Sequence, residues 1–124
     1  MARAAVLATA PGRRYSASVG TFSVYSLICA PLMGGHRNDM AVLLSCCTAA
    51  SPSPVLIFAP AHGAWRLTYA SSLHVVIDTL RRRGRTLIES RPVYGRTTPL
   101  CCPSGHRRWA LRWTWRRWAL ARIR

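Results

Sequence analysis

At 124 residues the chain has room for one small hydrophobic core. Half of it is apolar, yet 18 arginines face only Asp39, Asp78 and Glu89, and a net charge of +15 opposes compaction by self-repulsion. Three carboxylates, with no phosphate loop, metal cage or paired nucleophile and base, give no ground for an enzyme, a cofactor, a metal or a small-molecule substrate.

Every basic residue is arginine: lysine and glutamine are absent, and asparagine occurs once, at Asn38. Lysine is among the commonest residues of globular proteins, so its complete absence points to a coding bias. A need for planar, bidentate phosphate contacts favours arginine in a patch, not over a whole chain. The charge is uneven, with a balance of +3 over residues 1 to 65 and +12 over residues 66 to 124. Composition divides the chain into a basic N-terminal segment (1–16), an apolar region (17–60), a basic region holding one helix (61–100) and an Arg/Trp-rich tail (101–124).

The opening MARAAVLATAPGRRYSASVG is rich in Arg, Ala and Ser and acid-free, the composition of a mitochondrial targeting segment. Pro11 and Gly12, however, interrupt the amphipathic helix that such a segment needs. Residues 15–36 and 40–65 are each long enough to cross a hydrocarbon layer of about 30 Å. Arginines outside this pair and a neutral connection (Arg37, Asp39) fit a membrane hairpin with both ends on one side. Hydroxyl residues in the first stretch and Pro52 and Pro54 in the second weaken each span. The soluble alternative is a strand over 18–28 with Phe22, Val24 and Ile28 on one face, a helical piece over 41–47, and a short buried strand from Val55 to Ala59.

SSLHVVIDTLRRRG predicts a helix over about 72–83. Ser71 or Ser72 caps its start, Leu73, Val76, Ile77 and Leu80 share a face, and Asp78 sits four residues before Arg82. Arg81 to Arg83 suit the negative end of the helix dipole, and Gly84 ends the helix. Arg81, Arg82, Arg83 and Arg85 also form a basic patch with the look of a nuclear address or a phosphate-binding cluster. TLIESRPVYG reads as a short strand. Cysteines fall as Cys29, Cys46-Cys47 and Cys101-Cys102; adjacent pairs make poor zinc ligands, and reduced thiols are expected. His36, His62, His74 and His106 have no partner at an informative spacing.

The tail, RRWALRWTWRRWALARIR, contains the pentapeptide RRWAL twice, nine residues apart. As a strand it places Trp109, Leu111, Trp113 and Trp115 on one side and Arg108, Arg112 and Arg116 on the other. As a helix it has no apolar face. A disordered tail that orders on an anionic surface is the expected state.

The expectation is therefore a small, partly ordered, α-leaning chain with one helix, a membrane hairpin and an irregular or disordered basic C-terminus. Its function is expected to be non-enzymatic association with an anionic membrane surface. The binding residues would be Arg107, Arg108, Trp109, Arg112, Trp113, Trp115, Arg116, Arg117 and Trp118. The first alternative is an RNA or single-stranded nucleic-acid binder with the same residues. The second is a frame with no selected biochemical role. Membrane association implies a membrane location, with mitochondrion and nucleus as alternatives.

Overall fold

Met40 to Leu44 and Val55 to Ala59 are apolar at every position, and in the computed structural model both runs are strands buried on both faces. Residues 1–97, 99 and 101–124 are described. Two short helices, α1 (Ala2–Leu7) and α2 (Ala10–Val19), precede eight strands. The first four are β1 (Ser23–Ala30), β2 (Asp39–Ser45), β3 (Val55–Ala61) and β4 (Ala64–Ala70); β5 (Thr79–Arg83), β6 (Thr86–Val93), β7 (Gly105–Thr114) and β8 (Arg117–Ile123) follow. Each group of four forms one antiparallel sheet in sequence order, sheet A from β1–β4 and sheet B from β5–β8.

Sheet A is the middle of three layers, which explains why its central strands β2 and β3 lack alternation. Met40, Val42, Leu44, Leu56 and Phe58 pack beneath the helices against Val6, Tyr15 and Phe22. Ala41, Leu43, Val55 and Ile57 meet Leu80, Leu87 and Leu111 of sheet B on the other side. A strand covered on both sides gains from apolar residues at every position, since neither face meets water.

This arrangement overturns the α-leaning, weakly ordered, membrane-associated reading. No described helix is long and apolar enough to cross a membrane. Residues 15–36 supply the end of α2, β1 and a loop, and 40–65 supply β2 and β3, whose apolar side chains are spent on the protein's own core. The piece expected to be helical over 41–47 lies mostly in β2, while the strand expected from Val55 to Ala59 lies within β3. In β1 a bulge between Val24 and Ser26 changes the phase. Val24 therefore packs on the helix side, whereas Ile28 packs toward sheet B, so the two do not share the face assigned to them.

Pro11 and Gly12 do not break α2, because they lie in its first turn. There a proline forfeits no intrahelical bond, and the Thr9 hydroxyl accepts from the Gly12 N–H at 3.1 Å. A Cβ on Gly12 would come within 2.7 Å of the Val6 carbonyl carbon, so the close crossing of α1 and α2 depends on this glycine. The Tyr15 hydroxyl donates to the Pro52 carbonyl at 2.7 Å, tying α2 to the chain entering β3.

The predicted helix over 72–83 is not formed. Its first half runs as an irregular connection from sheet A to sheet B, and its second half is β5. Hydrogen bonds with Ser53 decide this. Ser53 Oγ donates to the Ile77 carbonyl and accepts from the Ile77 N–H, both at 2.7 Å, while the Ser53 N–H donates to the Val75 carbonyl at 2.8 Å. Those backbone groups are thus unavailable to a helix. Gly84, taken as a helix stop, is instead the first residue of a two-residue hairpin turn with φ of 60°, closed by the pair Arg83 and Thr86.

Candidate functional site

The tail's alternation becomes the ten-residue strand β7 and, after the turn at Trp115 and Arg116, β8, not the disordered segment expected. The strand forms because its apolar side has somewhere to go. Leu111 is fully buried opposite Leu87, and Trp118 packs against the core between the sheets. The Trp118 indole N–H donates to the Thr68 hydroxyl of β4 at 3.2 Å, and its ring lies 6.3 Å from Tyr69 and 5.7 Å from Trp113.

Residues paired across an antiparallel sheet share a face, so the register of sheet B settles which side chains stand outside. One rung reads Thr79, Ser90, Arg108, Ile123; the next Arg81, Ile88, Ala110, Ala121; the next Arg83, Thr86, Arg112, Ala119; the last pairs Thr114 with Arg117. None of these residues is buried. Five guanidinium groups (Arg81, Arg83, Arg108, Arg112, Arg117) therefore rise from an open surface floored by short or apolar side chains. Arg81 and Arg83 stand about 7 Å apart along their strand, and β5 and β7 about 10 Å apart across the sheet.

Only one acid touches this face. Asp78, at the entry to β5, accepts from His106 Nε2 at 2.7 Å, and the two line a cleft of about 450 Å³ with Arg81, Arg83, Ser90 and Arg108. This pairing joins residues far apart in sequence and left no signal there, because His106 reaches Asp78 only through the β5–β6–β7 register. Among the described residues neither this carboxylate nor that of Glu89 forms an ion pair with an arginine of the outer face.

The other acid of sheet B is hidden. Glu89 lies on the inner face, fully buried, with Arg91 Nη2 donating to its Oε2 at 2.8 Å and the Arg91 guanidinium 5.0 Å from the Trp109 ring centre. Burial pushes the Glu89 carboxyl above its usual 4.5, against the pull of the Arg91 hydrogen bond and charge. Glu89 Oε1 and Arg91 Nε are buried with no partner, so the ionised pair is incompletely compensated. A raised folded-state pKa makes this group's stabilising contribution complete below about 4.5 and lost as pH rises through the folded value. Urea midpoints measured from pH 4 to pH 8 should contain a decline that Glu89→Gln removes; equal pH profiles for the two proteins would contradict this account.

The structure separates the residues nominated from the sequence. Arg108, Arg112 and Arg117 share the outer face with Arg81 and Arg83, whereas Arg107 and Arg82 fall on the opposite side of their strands. Arg116 and Trp115 form the β7–β8 tip, with the Arg116 guanidinium 4.1 Å from the Trp115 ring centre. Arg85 sits in the β5–β6 turn. Trp109, Trp113 and Trp118 face inward, and Trp115 is 79% exposed. Reduced thiols are also corrected: disulfides join Cys46 to Cys47 and Cys101 to Cys102, leaving Cys29 free and exposed. At Cys47 a φ of 67° turns the backbone out of the extended form in which neighbouring side chains diverge.

No family model matches the chain, and no curated protein or solved structure is similar to it.

Proposed function

We propose that the chain binds nucleic acid through the outer face of sheet B. The observation that carries this reading is the set of five arginines on one open face whose single neighbouring carboxylate is paired with His106. Guanidinium groups meet phosphate oxygens through two parallel hydrogen bonds, and rows of them suit a linear polyanion. A lipid surface is less well matched. The outer face presents Ala110, Ala119 and Ala121 between its arginines, and the tail's Trp109, Trp113 and Trp118, which an interfacial helix would insert, face inward.

The test is fluorescence anisotropy with a labelled 12-nucleotide RNA over a range of salt, beside flotation with phosphatidylserine vesicles. If all five arginines engage phosphates, log K should fall against log salt with a slope of about −3.5. Binding without that salt dependence, no RNA binding, or co-flotation at protein concentrations too low to bind RNA would each overturn the proposal.

A further inference from the structure

Trp115 has the largest fractional exposure among the exposed large apolar residues, 79%, at the tip of a hairpin whose turn has no need of an aromatic ring. The other three tryptophans of the tail find surroundings on the inner face. An indole left in water forgoes the gain of burying its ring, which a ligand covering it would restore.

Trp115 forms one wall of a cavity of about 370 Å³, with Leu32, Met33, Gly34, Arg85 and Trp113. The floor at Gly34 is bare backbone with φ of 83°. The Arg85 guanidinium lies across it, 3.1 Å from where a Cβ would stand, so a cation is held at the rim. Arg116 supplies a second cation, stacked 4.1 Å from the Trp115 ring centre. An adjoining cavity of about 540 Å³ shares Met33 and Trp113 and adds Arg66, Arg116 and Arg117. Arg117 also belongs to the last rung of the outer face, where it pairs with Thr114, the residue before Trp115. Arg117 is therefore common to the outer-face rows and to the cavity adjoining the aromatic tip.

Resting on the nucleic-acid reading, we infer that the bound strand is single-stranded and that one unpaired base enters this cavity and stacks on Trp115. Phosphates flanking that base are held by Arg85 and Arg116, and the strand continues across Arg117, Arg112 and Arg108. The chemistry at the tip matches this occupant: a flat π surface recognises any base face, and the surrounding guanidinium groups recognise its backbone. A duplex keeps its base faces stacked inside and cannot offer one to a hairpin tip without flipping a nucleotide.

The experiment uses the full chain and its Trp115→Ala and Trp115→Phe variants, with a 12-nucleotide uridine RNA and a blunt 12-base-pair RNA duplex as probes. Trp115 is exposed, so both variants should keep the wild-type far-ultraviolet spectrum. The wild type should bind the single strand at least tenfold more tightly than the duplex. Trp115→Ala should weaken single-strand binding roughly ten- to a hundredfold with an unchanged salt slope, and phenylalanine should restore most of the loss. Equal affinity of wild type and Trp115→Ala for the single strand, or equal affinity of the wild type for strand and duplex, overturns the inference. In either case a retained steep salt slope leaves nucleic-acid binding standing, whereas absence of binding to both probes removes both readings.

Discussion

Replacing Arg81, Arg108 and Arg112 together with alanine should weaken RNA binding roughly a hundredfold at physiological salt, taking each charged phosphate contact at about 1 kcal/mol. The salt slope should become shallower by about 2, because three fewer phosphates are neutralised on a single strand. These three side chains stand on three successive rungs of the outer face, and none is buried. Their removal should therefore leave stability within about 0.5 kcal/mol, as for most surface changes away from special contacts. Placement and net charge are separated by a second triple variant, with alanine at the exposed Arg14, Arg37 and Arg96. It loses the same three charges, yet should bind RNA within about threefold of the wild type, since long-range steering is screened beyond about 8 Å at physiological salt. Equal losses in the two variants would mean that the chain attracts RNA by total charge and that the outer face is not the site.

Leu111→Ala should cost about 2–5 kcal/mol, a large share of the 5–15 kcal/mol that holds a typical domain folded. Leu111 is fully buried, opposite Leu87 across the sheet, and belongs to the cluster in which Leu43, Ile57 and Leu80 also meet. Truncation would leave a cavity between two sheets that cannot both move to fill it. Its partner on β8, Leu120, shares the same face but is 38% exposed, and Leu120→Ala should cost under about 1 kcal/mol. Urea denaturation followed by circular dichroism reads both changes. Similar small costs would show that the tail does not pack on sheet A, and the proposed nucleic-acid face on β7 would lose its scaffold.

Parts of this architecture were legible and parts were not, for reasons that differ from place to place. The alternation from Arg108 to Trp113 already contained the two-sidedness of β7; what it lacked was a partner surface, and without one a basic, aromatic strand looks unable to order. That surface is sheet A, whose β2 and β3 disguised themselves as membrane segments because burial on both faces erases the period of two. Over residues 72–83 the local signs agreed on a helix and were overruled from a distance by Ser53, which captures both backbone groups of Ile77. Gly84 suits the end of a helix and the start of a hairpin turn equally, so it carried no discriminating weight. The His106–Asp78 pair depends wholly on the register of β5, β6 and β7 and had no local trace.

Every strand pairs with its immediate neighbour in the chain, β1 with β2 through β4, then β5 with β6 through β8. Such an order keeps loop-closure entropy small at each pairing step, since every hairpin can form before a distant segment arrives. The slow event left is the docking of two preformed ribbons, joined by the connection that Ser53 fastens. Sheet A lies earlier in the chain and contains the strands buried on both sides, so during synthesis it emerges first and waits with one apolar face uncovered. The strongly cationic half then closes that face with Leu80, Leu87 and Leu111 while turning its arginines outward. The same half of the chain thus covers the apolar face of sheet A and, in the function proposed above, presents its arginines to a polyanion.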